Sequence, residues 1–276
     1  MLVGFLMGGW LNEFFGWRVA FMAVAIPGLL LAIILRFTVE EPRRGRTERV
    51  ASDAHSEPPP PVGVVVRELM HKRTFRHLAM ASALAAFAGY AALNWMPSFL
   101  ARSHDMGTGA IGTWLALIAG FCGGLGTFLG GYLADRYGKR DVRWYAWVPG
   151  IAILLAAPLM VVTFSSGNST LALLCYALPA GATAMYLGPV ISVTHGLVSN
   201  RMRALASAIY FLILNLIGLG LGPLSVGIIS DVLQPGLGQA EGLRYALLSV
   251  VPVAALWSSF HFLAASRAIR SELKID

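Results

Sequence analysis

Seven apolar runs, each close to the length of a membrane crossing, dominate this chain: Val19–Leu35, Leu78–Leu100, Ile111–Leu133, Trp144–Phe164, Leu171–Thr194, Ala204–Ile229 and Tyr245–Ala265. A hydrocarbon core about 30 Å thick needs roughly 20 such residues at the helical rise. Backbone amides find no water in lipid, so only helices or closed barrels can cross it. The runs are continuous rather than alternating, which selects helices. Of the whole chain, 57% is hydrophobic and only 13% is charged, about half the charged share of a soluble domain. The expected fold is an all-α membrane protein with seven transmembrane helices. Met1–Leu11 is apolar but reaches only about 16 Å, so it is read as an N-terminal half-helix.

The formal charge of +7 invites a nucleic-acid reading, but its distribution argues against one. With the segment Arg36–Arg76 placed in the cytoplasm, 18 of the 21 Lys and Arg residues fall on that side. The opposite side holds only Arg18, Arg102 and Arg244. Such asymmetry orients a multi-pass protein in a cell membrane, and no basic–aromatic module accompanies it. The linker, the loop at 136–143 and the C-terminus are then cytoplasmic. The two cysteines, Cys122 and Cys175, both lie within apolar runs. They form no disulfide framework and no metal spacing. No nucleophile–base pair stands out in the spans, so no enzyme, metal or cofactor is expected.

Three regions follow. Residues 1–36 hold the half-helix, an external turn at Asn12–Arg18 and one span. Residues 37–76 form a linker, with the stiff run Pro58-Pro59-Pro60-Pro61 and a short surface helix at Val62–His71. Residues 77–276 hold six spans. Eight prolines lie in or at the ends of spans, either as static kinks or as hinges.

One loop carries a motif. Gly130-Gly131-Tyr132-Leu133-Ala134-Asp135-Arg136-Tyr137-Gly138-Lys139-Arg140 joins two spans. Gly131 permits close helix approach, and Gly138 is expected to supply a φ > 0 reversal. Asp135, at a helix C-terminus, is unfavourable beside the negative dipole end and needs a partner from elsewhere. The pattern resembles the signature loop of the major facilitator superfamily of transporters. Other blocks agree with it. Gly4-Phe5-Leu6-Met7-Gly8-Gly9 resembles the end of that superfamily's fifth-helix motif, with Phe5 where Pro is common. Gly16-Trp17-Arg18-Val19-Ala20-Phe21 resembles the turn before the sixth helix, and Asn94-Trp95-Met96-Pro97-Ser98-Phe99-Leu100 the end of the seventh. Arg201–Ala208, followed by Asn215–Pro223, resembles the eleventh helix of spinster-like members.

The resemblance implies the six-helix C-terminal bundle of the major facilitator fold, preceded by a remnant of the N-terminal bundle. Most of that N-terminal bundle is read as missing, a partner encoded elsewhere. The function implied is alternating-access transport of a small organic or amphipathic solute across the lipid bilayer. A non-transporting membrane scaffold that pairs with another chain is the alternative. Asp135 is implied to latch onto the start of the fifth helix. Arg136, Lys139 and Arg140 either hold lipid phosphate and neighbouring carboxylates or serve orientation alone.

The implied solute cavity lies between the two halves, near the midplane, with the seventh and tenth helices on this side. Phe87, Tyr90 and Asn94 share one helical face there, and Tyr176, Thr183 and Tyr186 share another; each is a substrate contact or interhelical glue. Gly120, Gly124, Gly126 and Gly130, with Gly218 and Gly222, repeat at four-residue spacing and are read as packing faces. Asn215 is read as interhelical glue, and His195 as interfacial. No Asp, Glu, Lys or Arg lies deep in the six C-terminal spans, so a coupling group is expected outside them.

Overall fold

A computed structural model of the chain describes residues 2–39 and 60–273. The basic run Arg43–Arg49 and the first two residues of the proline run, Pro58 and Pro59, lie outside the described residues. All regular structure among the described residues is helical.

Helices α1 (Leu2–Phe15) and α2 (Trp17–Thr38) meet at Gly16. The expected turn at Asn12–Arg18 therefore contracts to one residue, whose φ of 79° suits glycine. The reason is local. The Asn12 and Glu13 side chains bond to a later helix, so this stretch stays helical instead of looping into solvent. Of α2, only Ala20 is buried. Helix α3 spans Val62–His71, the range expected. Its Val65 and Leu69 are fully buried against the bundle, while Val62 and Val64 stay exposed. It thus clamps the protein on one face and presents apolar surface on the other.

Helices α4 (Arg73–His104), α5 (Thr108–Gly138), α6 (Trp144–Ser165) and α7 (Ser169–Gly196) follow. The last helical stretch, Asn200–Glu272, runs 73 residues. That is roughly 110 Å of helix, far beyond one crossing. It reverses at Gly238, whose φ of 82° lies in the left-handed region. A Cβ built on Gly242 would sit 3.1 Å from the Ser230 carbonyl, so the chain doubles back on itself. We label the two limbs α8 (residues 203–237) and α9 (residues 239–272). With α2, the long apolar helices among the described residues number seven.

Helices α4 and α9 form the centre. The alanine-rich face of α4, from Ala79 to Ala92, is almost wholly buried. Small side chains let helix backbones approach in lipid, and hydroxyls then bridge them. Ser258 Oγ donates to the Ala81 carbonyl at 2.7 Å, and Ser259 Oγ to the Gly150 carbonyl of α6 at 2.7 Å. Trp95 Nε1 donates to the Pro223 carbonyl of α8 at 2.8 Å. Glu272, at the end of α9, accepts from the Arg73 and Thr74 amides at 2.9 and 3.0 Å. It caps the start of α4 with the charge sign a helix N-terminus favours.

Most of the expected glycine faces meet backbone. A Cβ on Gly126 would collide with the Gly181 carbonyl, and one on Gly130 with the Met185 carbonyl, both in α7. Cβ atoms on Gly218 and Gly222 would fall 2.6 Å from the Ala86 Cβ and the Phe87 carbonyl of α4. Gly120 lies against Leu2 of α1. Gly124 differs, because nothing lies within 4 Å of its Cβ position. Asn215 is not interhelical glue. It is exposed, and its amide turns back onto its own helix, to the Phe211 carbonyl at 2.8 Å. It opens a π-helical segment, Asn215–Leu221, whose wider turn points it off the packed face.

Candidate functional site

A break in α7 shapes the site. Residues 183–186 leave the regular helix between Pro179 and Pro189. Neither proline can donate to the helical ladder. Tighter bonds substitute within the break: Ala184 N–H to the Gly181 carbonyl at 3.0 Å and Met185 N–H to the Ala182 carbonyl at 3.2 Å. Thr183 Oγ1 donates to the Pro179 carbonyl at 2.9 Å. Pro189 leaves the Met185 carbonyl without its usual helical donor, and Gly130 packs against that atom.

Beside the break lies a cavity of about 540 Å³ between α4, α5 and α7. Its hydroxyls come from Tyr90, Thr127, Tyr176, Thr183 and Tyr186, and most of the remaining wall is Ala, Gly and Leu. No charged side chain lines it among the described residues. Helix α5 makes room through a π-helical turn, Ala116–Cys122, and the glycines around it. Gly124 therefore borders open space instead of a neighbouring helix. Leu2 of α1 completes one side.

Of the six candidate cavity residues, Tyr90, Tyr176, Thr183 and Tyr186 border this space. Phe87 and Asn94 are not among its walls. Phe87 is half-buried where α8 crosses α4. Asn94 is exposed and donates to the Tyr90 carbonyl at 2.9 Å. The crossing of α8 thus takes Phe87 from the shared face of α4, and a bond within its own helix takes Asn94. Thr127 was missed by the sequence reading, although it stands out as a polar residue in a glycine-rich stretch. Gly89 and Ala85 become wall only because α4 turns them inward. His195 lies near the end of α7, its Nε2 2.7 Å from Ser207 Oγ.

The signature loop departs from three expectations. Asp135 finds its partner within this chain: Tyr145 of α6 donates its hydroxyl to Asp135 Oδ1 at 2.9 Å. Gly138 does not adopt positive φ, a conformation held among the described glycines by Gly16 and Gly238. It is buried in the last turn of α5, and a Cβ there would lie 2.5 Å from the Tyr145 ring. Gly138 therefore clears space for the ring whose hydroxyl holds Asp135. Gly131 is not a point of close approach either: nothing lies within 4 Å of its own Cβ position, and the Cβ position of Gly188 is an ordinary 3.6 Å from its Cα. Arg136, Lys139 and Arg140 are exposed, and Arg136 reaches the Tyr132 hydroxyl at 3.1 Å.

Residues 139–143 make the reversal itself. Asp141 accepts from the Arg143 amide at 3.0 Å and from the Arg270 guanidinium at 2.6 and 3.2 Å. Partial desolvation pushes its carboxyl up. The Arg143 amide and the charges of Arg270 and Arg143 outweigh that and hold it below the ordinary carboxylate value. This forked pair ties the loop to the end of α9.

Residues 1–223 match the Major Facilitator Superfamily. The chain belongs to that superfamily. Among major facilitator relatives, an MFS-type efflux pump of Mycolicibacterium smegmatis is 32% identical over 97% of this chain and 60% of the pump. Protein spinster homolog 1 of Xenopus laevis is 24% identical over 99% of the chain and 55% of that protein. The chain therefore spans about 60% or less of the length of these relatives. A solved bacterial homologue of the human lysosomal transporter Spinster, inward-facing and unoccupied, superposes with a TM-score of 0.81 at 28% identity. That match covers 97% of this chain and 64% of the homologue. The protein is a multi-pass membrane protein of major facilitator fold and spinster-like kinship.

Proposed function

We propose that these residues form one wall of a transport pathway and move a small organic or amphipathic solute by alternating access. The cavity at the break of α7 carries this reading. It combines an apolar surface with several hydroxyls and a locally unwound backbone, the arrangement by which transporters hold solutes near the membrane midplane. A cis,cis-muconate transport protein of Acinetobacter baylyi, 27% identical over 91% of the chain, supports a small organic solute. Tyr90, Tyr176, Thr183 and Tyr186 are the residues assigned to solute contact.

Residues 77–276 are taken as one rocking bundle, residues 1–36 as part of the opposing one, and 37–76 as the linker. A counterpart bundle, on the same polypeptide or another, supplies the opposite wall. Asp135 and its basic neighbours serve as the cytoplasmic gate, with the linker, the 136–143 loop and the C-terminus in the cytoplasm.

The test is solute flux in sealed vesicles carrying the protein with its counterpart bundle. Saturable, gradient-dependent flux that falls at least tenfold in Tyr186→Ala and Thr183→Val supports the reading. That fall is on the order of losing one well-placed contact, about 1.4 kcal/mol. Saturable flux indifferent to all four positions removes the cavity assignment. Stable accumulation with no flux of any tested solute favours the scaffold.

A further inference from the structure

We infer that Glu13 pins a seam between α1 and α5, and that this contact is a latch at the end of the molecule opposite the signature loop. The start of α5 has amides that no helical carbonyl can reach. Its N-cap position is Gly107, which has no side chain to offer and makes no side-chain cap. The cap comes instead from another helix: Glu13 Oε2 accepts from the Gly109 amide. A carboxylate there also matches the positive end of the helix dipole.

The surrounding residues fit this contact. Cβ atoms on Gly107 or Gly109 would each lie 3.0 Å from Glu13 Oε2, and one on Gly109 also 2.8 Å from the Trp10 ring. Trp10 Nε1 donates to Thr113 Oγ1 at 2.9 Å. Asn12 Nδ2 donates to Thr108 Oγ1 at 3.3 Å, and Thr108 Oγ1 to the Gly9 carbonyl at 3.2 Å. Gly9 and Gly112 bring the backbones together, since a Cβ on either would fall 2.9 Å from the other's Cα.

The seam connects to the cavity through both helices. Helix α1 runs antiparallel to α5, from Leu2 beside Gly120 at the cavity to Glu13 at the start of α5. Helix α5 continues from the seam, past the cavity wall, to Asp135. The two ends of this cavity-lining helix are therefore held by different side chains, Glu13 at one and the Asp135–Tyr145 contact at the other. Separation of α1 from α5 must break the Glu13 cap. The cap thus belongs to the seam-closed state and weights the protein toward it. Its role in gating rests on the alternating-access reading, whereas the contact itself does not.

Hydrogen exchange on the chain in lipid nanodiscs tests the latch. In Glu13→Ala, exchange of the amides at 107–113 is expected to rise roughly tenfold, the scale of one charge-assisted hydrogen bond. Glu13→Gln keeps an acceptor oxygen without the charge and should show a smaller rise. Amides in the centres of α4 and α9 should stay protected in both. Unchanged exchange at 107–113, with those centres protected, overturns the proposal. Should Glu13→Ala fail to accumulate, Glu13→Gln alone decides, by a rise or its absence. Vesicles of the protein with its counterpart separate the two readings: an absence of solute flux removes the transport assignment and leaves the exchange result to judge the latch.

Discussion

Asp135, Gly138 and Tyr145 act as one unit, and their behaviour on substitution should show it. Tyr145→Phe removes the hydroxyl that Asp135 accepts. Because Asp135 is exposed, the loss in stability should stay under about 1 kcal/mol. Gly138→Ala drives a methyl into the Tyr145 ring and displaces the same hydroxyl. The double variant should therefore lose less than the two single losses added, which thermal unfolding in detergent can measure. Fully additive losses would separate the three residues. Asp141 makes a different prediction. Its carboxyl sits lower in the folded protein than its ordinary value of 3.8. It thus contributes stability above that value, and the contribution fades as pH falls through the folded value. Asp141→Asn should be less stable than the parent at pH 7, and the gap should close as the pH drops below 4. A gap that persists in acid would argue against the Arg270 pairing as its source.

Among helices, contact quality depends more on glycine than on hydrogen bonds. Gly130→Ala places a methyl on the Met185 carbonyl, where backbone has to move. Overpacking of this kind costs about 1–3 kcal/mol. Ser258→Ala loses one bond to the Ala81 carbonyl, for which membrane proteins show an average cost of about 0.6 kcal/mol. Unfolding in mixed micelles should rank Gly130→Ala as the more damaging, and the reverse order would contradict the packing account. Gly124→Ala should be nearly neutral for stability, because its Cβ position borders the cavity. The four-residue spacing alone could not tell Gly124 from Gly130, since it is the neighbouring helix that decides which glycine is contacted.

For the whole molecule, orientation is the property to test. Impermeant labelling of single cysteines at positions 139 and 267 should report one face of the membrane, and a cysteine at 102 the other. Labelling of 102 and 139 from the same side would dismantle the seven-span order. That order was readable beforehand because lipid demands apolar length and charge asymmetry, and both are written linearly in the chain. The surface helix Val62–His71 was readable for a similar reason, as a short periodic pattern. The turn at Asn12–Arg18 was not, because Asn12 and Glu13 are held by residues about a hundred positions away.

Four of the six candidate cavity residues were legible in the same limited way. Tyr176, Thr183 and Tyr186 converge because the break in α7 turns them to one space, and prolines mark such breaks in sequence. Phe87 and Asn94 share the helical period with Tyr90, yet α8 crosses α4 at Phe87, and Asn94 is exposed with its amide turned back to the Tyr90 carbonyl. The sequence alone determined the solvent, the helical class, the order of spans and the superfamily, since each depends on local composition or contiguous motif. Tertiary structure alone decided which glycines touch, that Tyr145 holds Asp135, that Arg270 holds Asp141 and that Glu13 caps α5. Those are pairings between distant residues, and only the packed arrangement of helices sets their distances.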